Sequence, residues 1–347
     1  MEKTKKEERP SKSKQHHSLL TDVPVSMLEQ AIQNVKHADL EWFNERREAR
    51  PAKKRVEPAG GIVLPHHLKE GGNKLIHKSF NPREYELLSG NPKSIGKKAH
   101  PMLSRFSGKK IRPANFEAFF GPDNRYVYYD DSYPWRCIGR ITWGNEWGTA
   151  TLVGENYVLT ASHVVAGTWT AGQPLTTSIT FVPAMFDGSS MLGASWTAQV
   201  TGIAAWQEID AVVGYDMAIC QLDKPMGDWL GYFGSRGFDN GWENQPYWSH
   251  IGYPYDLSAN GVEPSFQSGI TVNDDDSDNF DSFELETDAD VASGQSGGPL
   301  WGVWNDGGHQ IIGVLSGNEN DSAEYTNIFA GGSGLNSLVK WGRDNWK

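Results

Sequence analysis

The chain has 347 residues, 38% of them hydrophobic, with 38 glycines and 14 tryptophans. No run approaches the ~20 apolar residues of a membrane-spanning helix, and the sequence contains no internal repeat, P-loop or dinucleotide fingerprint. Charge divides it in two: residues 1–113 carry a net +11 and residues 114–347 a net −22, which together give the −11 of the whole and mark two functional parts.

The basic part begins with Met1 to His17, rich in Lys, Glu, Ser and His, which is expected to be disordered. It lacks the apolar core of a secretory signal. Pro24 to Arg50 reads as an amphipathic helix with Met27, Leu28, Ala31, Ile32, Val35 and Phe43 as its apolar positions. Pro51 to Lys110 is rich in Gly, Pro and Lys and weakly periodic. Two readings compete for this region: it binds nucleic acid or an anionic membrane surface, or it covers the acidic part of its own chain. The second accounts for both charges with one contact and is preferred. Lys109-Lys110-Ile111-Arg112-Pro113 then offers basic residues where processing is expected.

The acidic part reads as short strands between Gly, Asn and Asp turns: Trp147 to Val153, Tyr157 to Ala161, Ser178 to Val182 and Gln310 to Leu315. Val158 to Val165 reads as a buried strand that delivers His163. Asp216 heads the apolar run Met217 to Leu222, with Asp210 as its nearest competitor for a carboxylate role. Asn273 to Asp278 is an acidic run without the spacing and glycine of a calcium loop and is expected to be a solvated loop. In Gly294-Gln295-Ser296-Gly297-Gly298-Pro299 a serine sits on a glycine turn, whose freedom at positive φ allows close approach of a substrate. Cys137 and Cys220, the only cysteines, are expected on strands, either paired or as free thiols. No Cys/His cluster suggests zinc.

The order His163, Asp216, Ser296 distinguishes one arrangement of the nucleophilic triad from two others known on unrelated folds. With Tyr133-Pro134-Trp135, Ile138 to Ile141, Gly148 to Gly154, Trp248 to Pro254 and Gly294 to Leu300, the chain resembles the chymotrypsin superfamily over about Tyr133 to Trp341. It is most similar to the glutamyl-endopeptidase-like branch, which includes secreted fungal trypsin-like proteases.

The resemblance implies an all-β protein of two barrels, the first about 133–228 and the second about 229–347, behind a leader that acts as a propeptide. It implies a serine endopeptidase in which His163 is the base, Asp216 orients it, Ser296 attacks, and the N–H groups of Gly294 and Ser296 hold the oxyanion. Asp290, six residues before Ser296, takes the place of a pocket-floor carboxylate and implies Arg or Lys before the scissile bond. Ser316 and Asn318 are expected to line the substrate site. Leu315 stands where Glu-specific relatives carry a histidine, which argues against Glu preference. Gln295 replaces the aspartate that receives a new amino terminus in pancreatic-type enzymes, so activation is expected to depend on uncovering the site. Peptide substrates, a monomer, an extracellular location, no cofactor, no metal and no nucleic-acid partner complete the expectation. The alternatives are a catalytically silent binding protein on the same fold and a Glu-specific endopeptidase.

Overall fold

The computed structural model describes residues 60–64, 76–82, 117–206, 213–278, 282–304, 307–321 and 324–346. The chain divides into two units, Met1–Trp42 and Phe43–Lys347, and every described residue belongs to the second. The helix expected over Pro24 to Arg50, the junction Lys109 to Arg112 and the competitor Asp210 lie outside the described residues.

The fold is mostly β, with a closed six-stranded barrel and a half-barrel. The first barrel uses β5 (Ile138–Trp143), β6 (Glu146–Leu152), β7 (Tyr157–Thr160), β8 (Thr180–Pro183), β11 (Ala198–Trp206) and β12 (Ala218–Leu222). They run in the order β11-β12-β7-β6-β5-β8, and β8 closes the circle by pairing with the start of β11. β7 and β12 are buried at every position. That is why Tyr-Val-Leu-Thr and Ala-Ile-Cys-Gln-Leu read as apolar runs rather than alternating strands. Ile141, Leu152, Phe181, Ile203 and Cys220 are fully shielded from solvent. A small hairpin, β9 (Met185–Phe186) with β10 (Ser189–Ser190), follows β8.

The second sheet is built on β14 (Trp248–Gly252), β15 (Ser265–Ile270), β16 (Val272–Asp278), β17 (Ser282–Thr287), β19 (Pro299–Val303), β20 (His309–Asp321) and β21 (Glu324–Gly332). Its order is β16-β17-β21-β20-β19-β14-β15-β4, with β4 (Tyr126–Val127) on the edge and β13 (Gly234–Arg236) branching from β20. Trp248, Ile270, Val272, Leu285, Leu300, Ile312 and Phe329 form its core. A short helix, α1 (Met226–Leu230), lies between the two barrels in sequence, and α2 (Ser333–Asn345) ends the fold. α2 buries Leu335, Leu338 and Val339, and the Tyr157 hydroxyl of the first barrel donates to the Val339 carbonyl at 3.2 Å.

The basic region supplies strands to both sheets. β8 pairs with only Ala198 and Gln199 of β11, leaving the edge Gly202–Trp206 open. β1 (Gly60–Leu64) fills that edge in parallel register, Gly60 against Gly202 and Leu64 against Trp206, which removes an exposed strand edge. β2 (Ile76–His77) pairs with β13 on the second sheet.

Two expectations are corrected. The acidic run forms β16, paired along β17 from Val272 to Asp278, because its alternate positions need only face solvent, as a hairpin strand allows. Cys137 ends a 3-10 turn, Trp135–Cys137, rather than lying in a strand. Both cysteines are free and buried, and burial pushes each thiol up to about 12.

Candidate active site

The register of two neighbouring strands brings the first pair of residues together. β7 and β12 are antiparallel with Thr160 opposite Ala218. His163 follows the end of β7 by three residues, and Asp216 precedes the start of β12 by two. Both therefore emerge at the same end of the barrel. His163 opens a 3-10 turn, His163–Val165, rather than extending the strand.

Asp216 is buried and accepts four hydrogen bonds. His163 Nδ1 lies 2.5 Å from Oδ2, and the His163 N–H donates to Oδ1 at 2.8 Å. The hydroxyls of Ser162 and Ser316 donate to Oδ1 and Oδ2, each at 2.6 Å. Burial alone would raise this carboxyl. The hydrogen bonds from His163, Ser162 and Ser316 and the attraction of His163 outweigh it and hold the group below the usual carboxylate range. The imidazole itself is 45% exposed, so its other nitrogen remains accessible.

Ser296 stands on the turn between β18 (Val291–Ala292) and β19. The turn is tied on two sides. The Thr149 N–H of β6 donates to the Ser296 carbonyl at 2.8 Å, and the Gly297 N–H donates to the Leu315 carbonyl of β20 at 2.8 Å. The Thr149 hydroxyl donates to the Gly294 carbonyl at 3.0 Å. Gly294 and Gly297 have φ of 93° and 81°, the left-handed region that glycine enters without steric cost. A Cβ at Gly294 would strike the Tyr253 carbonyl and the Trp147 indole, and one at Gly297 would strike Thr160 and the Thr149 carbonyl. Among the described residues, no protein group accepts from the N–H of Gly294 or Ser296.

Gly148 relates the serine to the histidine. A Cβ there would lie 2.7 Å from the Val164 side chain and 3.0 Å from the Ser296 carbonyl. Only a bare backbone lets β6 pass between the nucleophile turn and the turn that carries His163. Ser316 and Leu315 close the arrangement from the other side, one bonded to Asp216 and the next residue back to Gly297.

Of the other histidines of the acidic part, His250 is buried and His309 half-buried. His250 Nδ1 lies 3.0 Å from the Pro299 carbonyl, and its burial, partly offset by that bond, lowers it to about 4. Burial lowers His309 to about 4 as well.

Asp290, read as a pocket-floor carboxylate, is bonded to the segment that precedes the barrels. It is 0% exposed, and its two oxygens accept from the backbone N–H of Phe120 at 2.9 Å and of Asn124 at 2.8 Å. Gln267 Nε2 adds a longer bond at 3.4 Å. The spacing to Ser296 is right, but the segment before the barrels reaches this carboxylate first. Leu315 likewise belongs to the core of the second sheet. Asn318 lies half-buried in β20 opposite Asn327. Ser316, read as a substrate residue, turns its hydroxyl to Asp216. Sequence reasoning missed Ser162, whose position directly before His163 was its only signal, and Arg125, which carried none. Among the described residues no group of three or more His, Cys, Asp or Glu is placed to hold a metal, and no helix is long and apolar enough to cross a membrane.

Residues 148–314 match the family model of the trypsin-like peptidase domain. No curated protein matches the chain. Among solved structures, a Glu endopeptidase aligns with a TM-score of 0.52 at 21% identity, over 66% of this chain and 100% of its own. The protease Anisep from Arthrobacter nicotinovorans aligns with a TM-score of 0.46 at 19% identity, over 61% of this chain and 97% of its own. At 21% identity the likeness to the Glu endopeptidase is one of fold. The domain match and the fold support a chymotrypsin-fold serine endopeptidase.

Proposed function

For a serine endopeptidase of this fold, we propose that His163, Asp216 and Ser296 form the catalytic triad and that the N–H groups of Gly294 and Ser296 form the oxyanion hole. The observation that carries this reading is the fourfold hydrogen-bonded Asp216 holding Nδ1 of the accessible His163, beside a nucleophile turn with two unclaimed N–H groups. The pairing at Nδ1 leaves Nε2 to take the Ser296 proton as the hydroxyl attacks a peptide carbonyl. The negative carboxylate then stabilises the imidazolium that forms. The two N–H groups receive the charge that develops on the carbonyl oxygen, and each such donor is worth roughly 10²–10³ in rate. His163 returns the proton to the leaving amine, and water releases the acyl group.

The basic side-chain preference loses its support, because the carboxylate it rested on is spent on backbone amides. Profiling cleavage of a peptide library is the direct way to read the preference. The inhibitory leader rests on charge alone. The described parts of residues 1–113 bond to Gly202–Trp206, Gln173, Tyr232, Ser235, Asn336 and their neighbours, and none of these bonds is to His163, Asp216 or Ser296. The leader therefore includes two strands paired with the catalytic body, and any inhibition comes from the remainder. An extracellular, monomeric enzyme remains the expectation from resemblance.

Labelling with a fluorophosphonate probe tests the function. Modification of Ser296 in the wild type, abolished in His163→Ala, is the expected result. Peptide hydrolysis that persists in pure Ser296→Ala protein would sink the assignment.

A further inference from the structure

A buried guanidinium is wired into the residue that precedes the nucleophile. Arg125 lies in the segment before the barrels, and its side chain is 0% exposed. Nε donates to Asp123 Oδ1 at 3.1 Å and Nη2 to Asp123 Oδ2 at 3.2 Å. Asp256 accepts from Nη1 at 3.2 Å and from Nη2 at 2.5 Å. The remaining N–H, on Nη1, donates to Gln295 Oε1 at 2.6 Å. All five donors of the guanidinium are thereby used, and the Phe119 ring lies 4.7 Å from its centre.

Two carboxylates suffice to neutralise one arginine, and the fifth donor does something else. Gln295 Oε1 also accepts the Ala292 N–H at 2.9 Å. The Gln295 backbone N–H donates to the Ala292 carbonyl at 3.2 Å, and the residue is 1% exposed. Its side chain is thus held at the far end by a charge and closes on its own turn. Fixing that side chain fixes the backbone angles of residue 295. The peptide plane that follows carries the Ser296 N–H, one of the two oxyanion donors. A donor preset toward the developing charge needs no reorganisation during reaction.

The segment that carries Arg125 is itself stitched to this loop. β3 (Glu117–Ala118) pairs with β18, and the N–H groups of Phe120 and Asn124 hold Asp290. These ties involve only side chains and internal backbone, with no free chain end.

We infer that Arg125 is a positioning residue that presets the Ser296 N–H through Gln295, so that the oxyanion turn is formed in the intact chain and needs no new amino terminus. This rests on the triad reading, and the two can fail separately. The chain upstream of residue 117 is then not needed for the geometry of the turn.

The test uses the full-length protein and its Arg125→Ala, Arg125→Lys and Gln295→Ala variants. Thermal unfolding checks folding, the fluorophosphonate probe counts nucleophiles, and kcat and KM are measured separately on a peptide amide. Arg125→Ala and Gln295→Ala are each expected to lower kcat by about 10²-fold, the effect of losing an oxyanion donor, with KM changed little. The double variant should lose no more than either single one, since both cut one link. Millimolar guanidinium should restore part of kcat in Arg125→Ala but not in Gln295→Ala, where the acceptor is gone. A folded Arg125→Ala or Gln295→Ala protein with wild-type kcat overturns the inference, as does a loss that appears only in KM. If Arg125→Ala does not fold, Gln295→Ala decides, because it removes the link and leaves the ion pairs. Failure of the wild type to label at Ser296, both before and after limited proteolysis of the leader, would instead overturn the triad reading beneath it.

Discussion

Arg343 of α2 joins three parts of the chain through one guanidinium. Its Nη1 donates to the Lys78 carbonyl at 3.1 Å, and Nη2 donates to the carbonyls of Val153 at 2.9 Å and Phe233 at 3.2 Å. The basic region, the first barrel and the start of the second therefore meet at the last helix.

The first prediction follows from that meeting. His77 is bonded to the Asn336 carbonyl, Phe80 and Tyr232 exchange backbone bonds at 2.9 Å, and β1 adds a strand to the first barrel. A chain cut near Lys109 to Arg112 should keep its N-terminal piece bound through gel filtration. Arg343→Ala should loosen it by about 1.5–3 kcal/mol, the worth of charged hydrogen bonds. Immediate separation of the cut pieces in native buffer would show that the strands do not hold.

Catalysis should respond to the proposed triad as a unit. Ser296→Ala, His163→Ala and Asp216→Asn should each lower kcat by about 10⁴-fold or more while leaving the unfolding midpoint near wild type. The combined variant should be little worse than the worst single one. Additive losses in steady-state kinetics would contradict this.

Ser316 supplies one of four donors to Asp216 and should matter less. Ser316→Ala removes a bond to a charge, worth about 1.5–3 kcal/mol, and the expected fall in kcat is about tenfold or somewhat more. Ser162→Ala should behave alike. Unchanged KM for short peptides would separate this role from substrate contact.

Asp290→Asn tests whether position 290 selects substrates or ties the loop. The asparagine keeps one acceptor oxygen for the two amides of Phe120 and Asn124. Stability should fall by about 1–3 kcal/mol in urea unfolding, and the cleavage profile should not change. A profile that switches away from Arg and Lys would restore the pocket-floor reading.

Acid should destabilise the protein over a defined window. His77, His250 and His309 are each lowered from 6.5 to about 4, burial being the first cause in all three. Between those values the unfolded chain binds protons that the folded chain excludes, so stability rises with pH through the window. It is complete above about 6.5 and lost progressively toward 4. For the fully buried His250 this amounts to at most about 3 kcal/mol, at 1.36 kcal/mol per pH unit. Urea unfolding of His250→Gln at several pH values should show a shallower slope, and an unchanged slope would refute the assignment.

The residues of the proposed triad stood out in the sequence because each is marked by its local pattern. Leu159 to His163 and Asp216 to Leu222 are apolar stretches that end or begin in a polar residue just beyond a strand, and Ser296 sits among glycines suited to a tight turn. Spacing misled at Asp290, because separation along the chain says nothing of what else arrives in space. The amides of Phe120 and Asn124 come from 170 and 166 residues away. The acidic run was misread for a similar reason: its charges suggest solvent, and solvent faces one side of a hairpin strand as readily as a loop.

By itself, the sequence determined the strand-rich class, the order of the three proposed triad residues and the division of charge. Those properties reside in local patterns of burial and turn chemistry. Only the tertiary structure decided that Ser162 and Ser316 complete the shell of Asp216, that Arg125 is spent on Gln295, and that the basic region lends a strand to each sheet. These are pairings between distant residues, fixed by strand register and by the need of buried donors and acceptors for partners, and neither requirement names its partner in the local sequence.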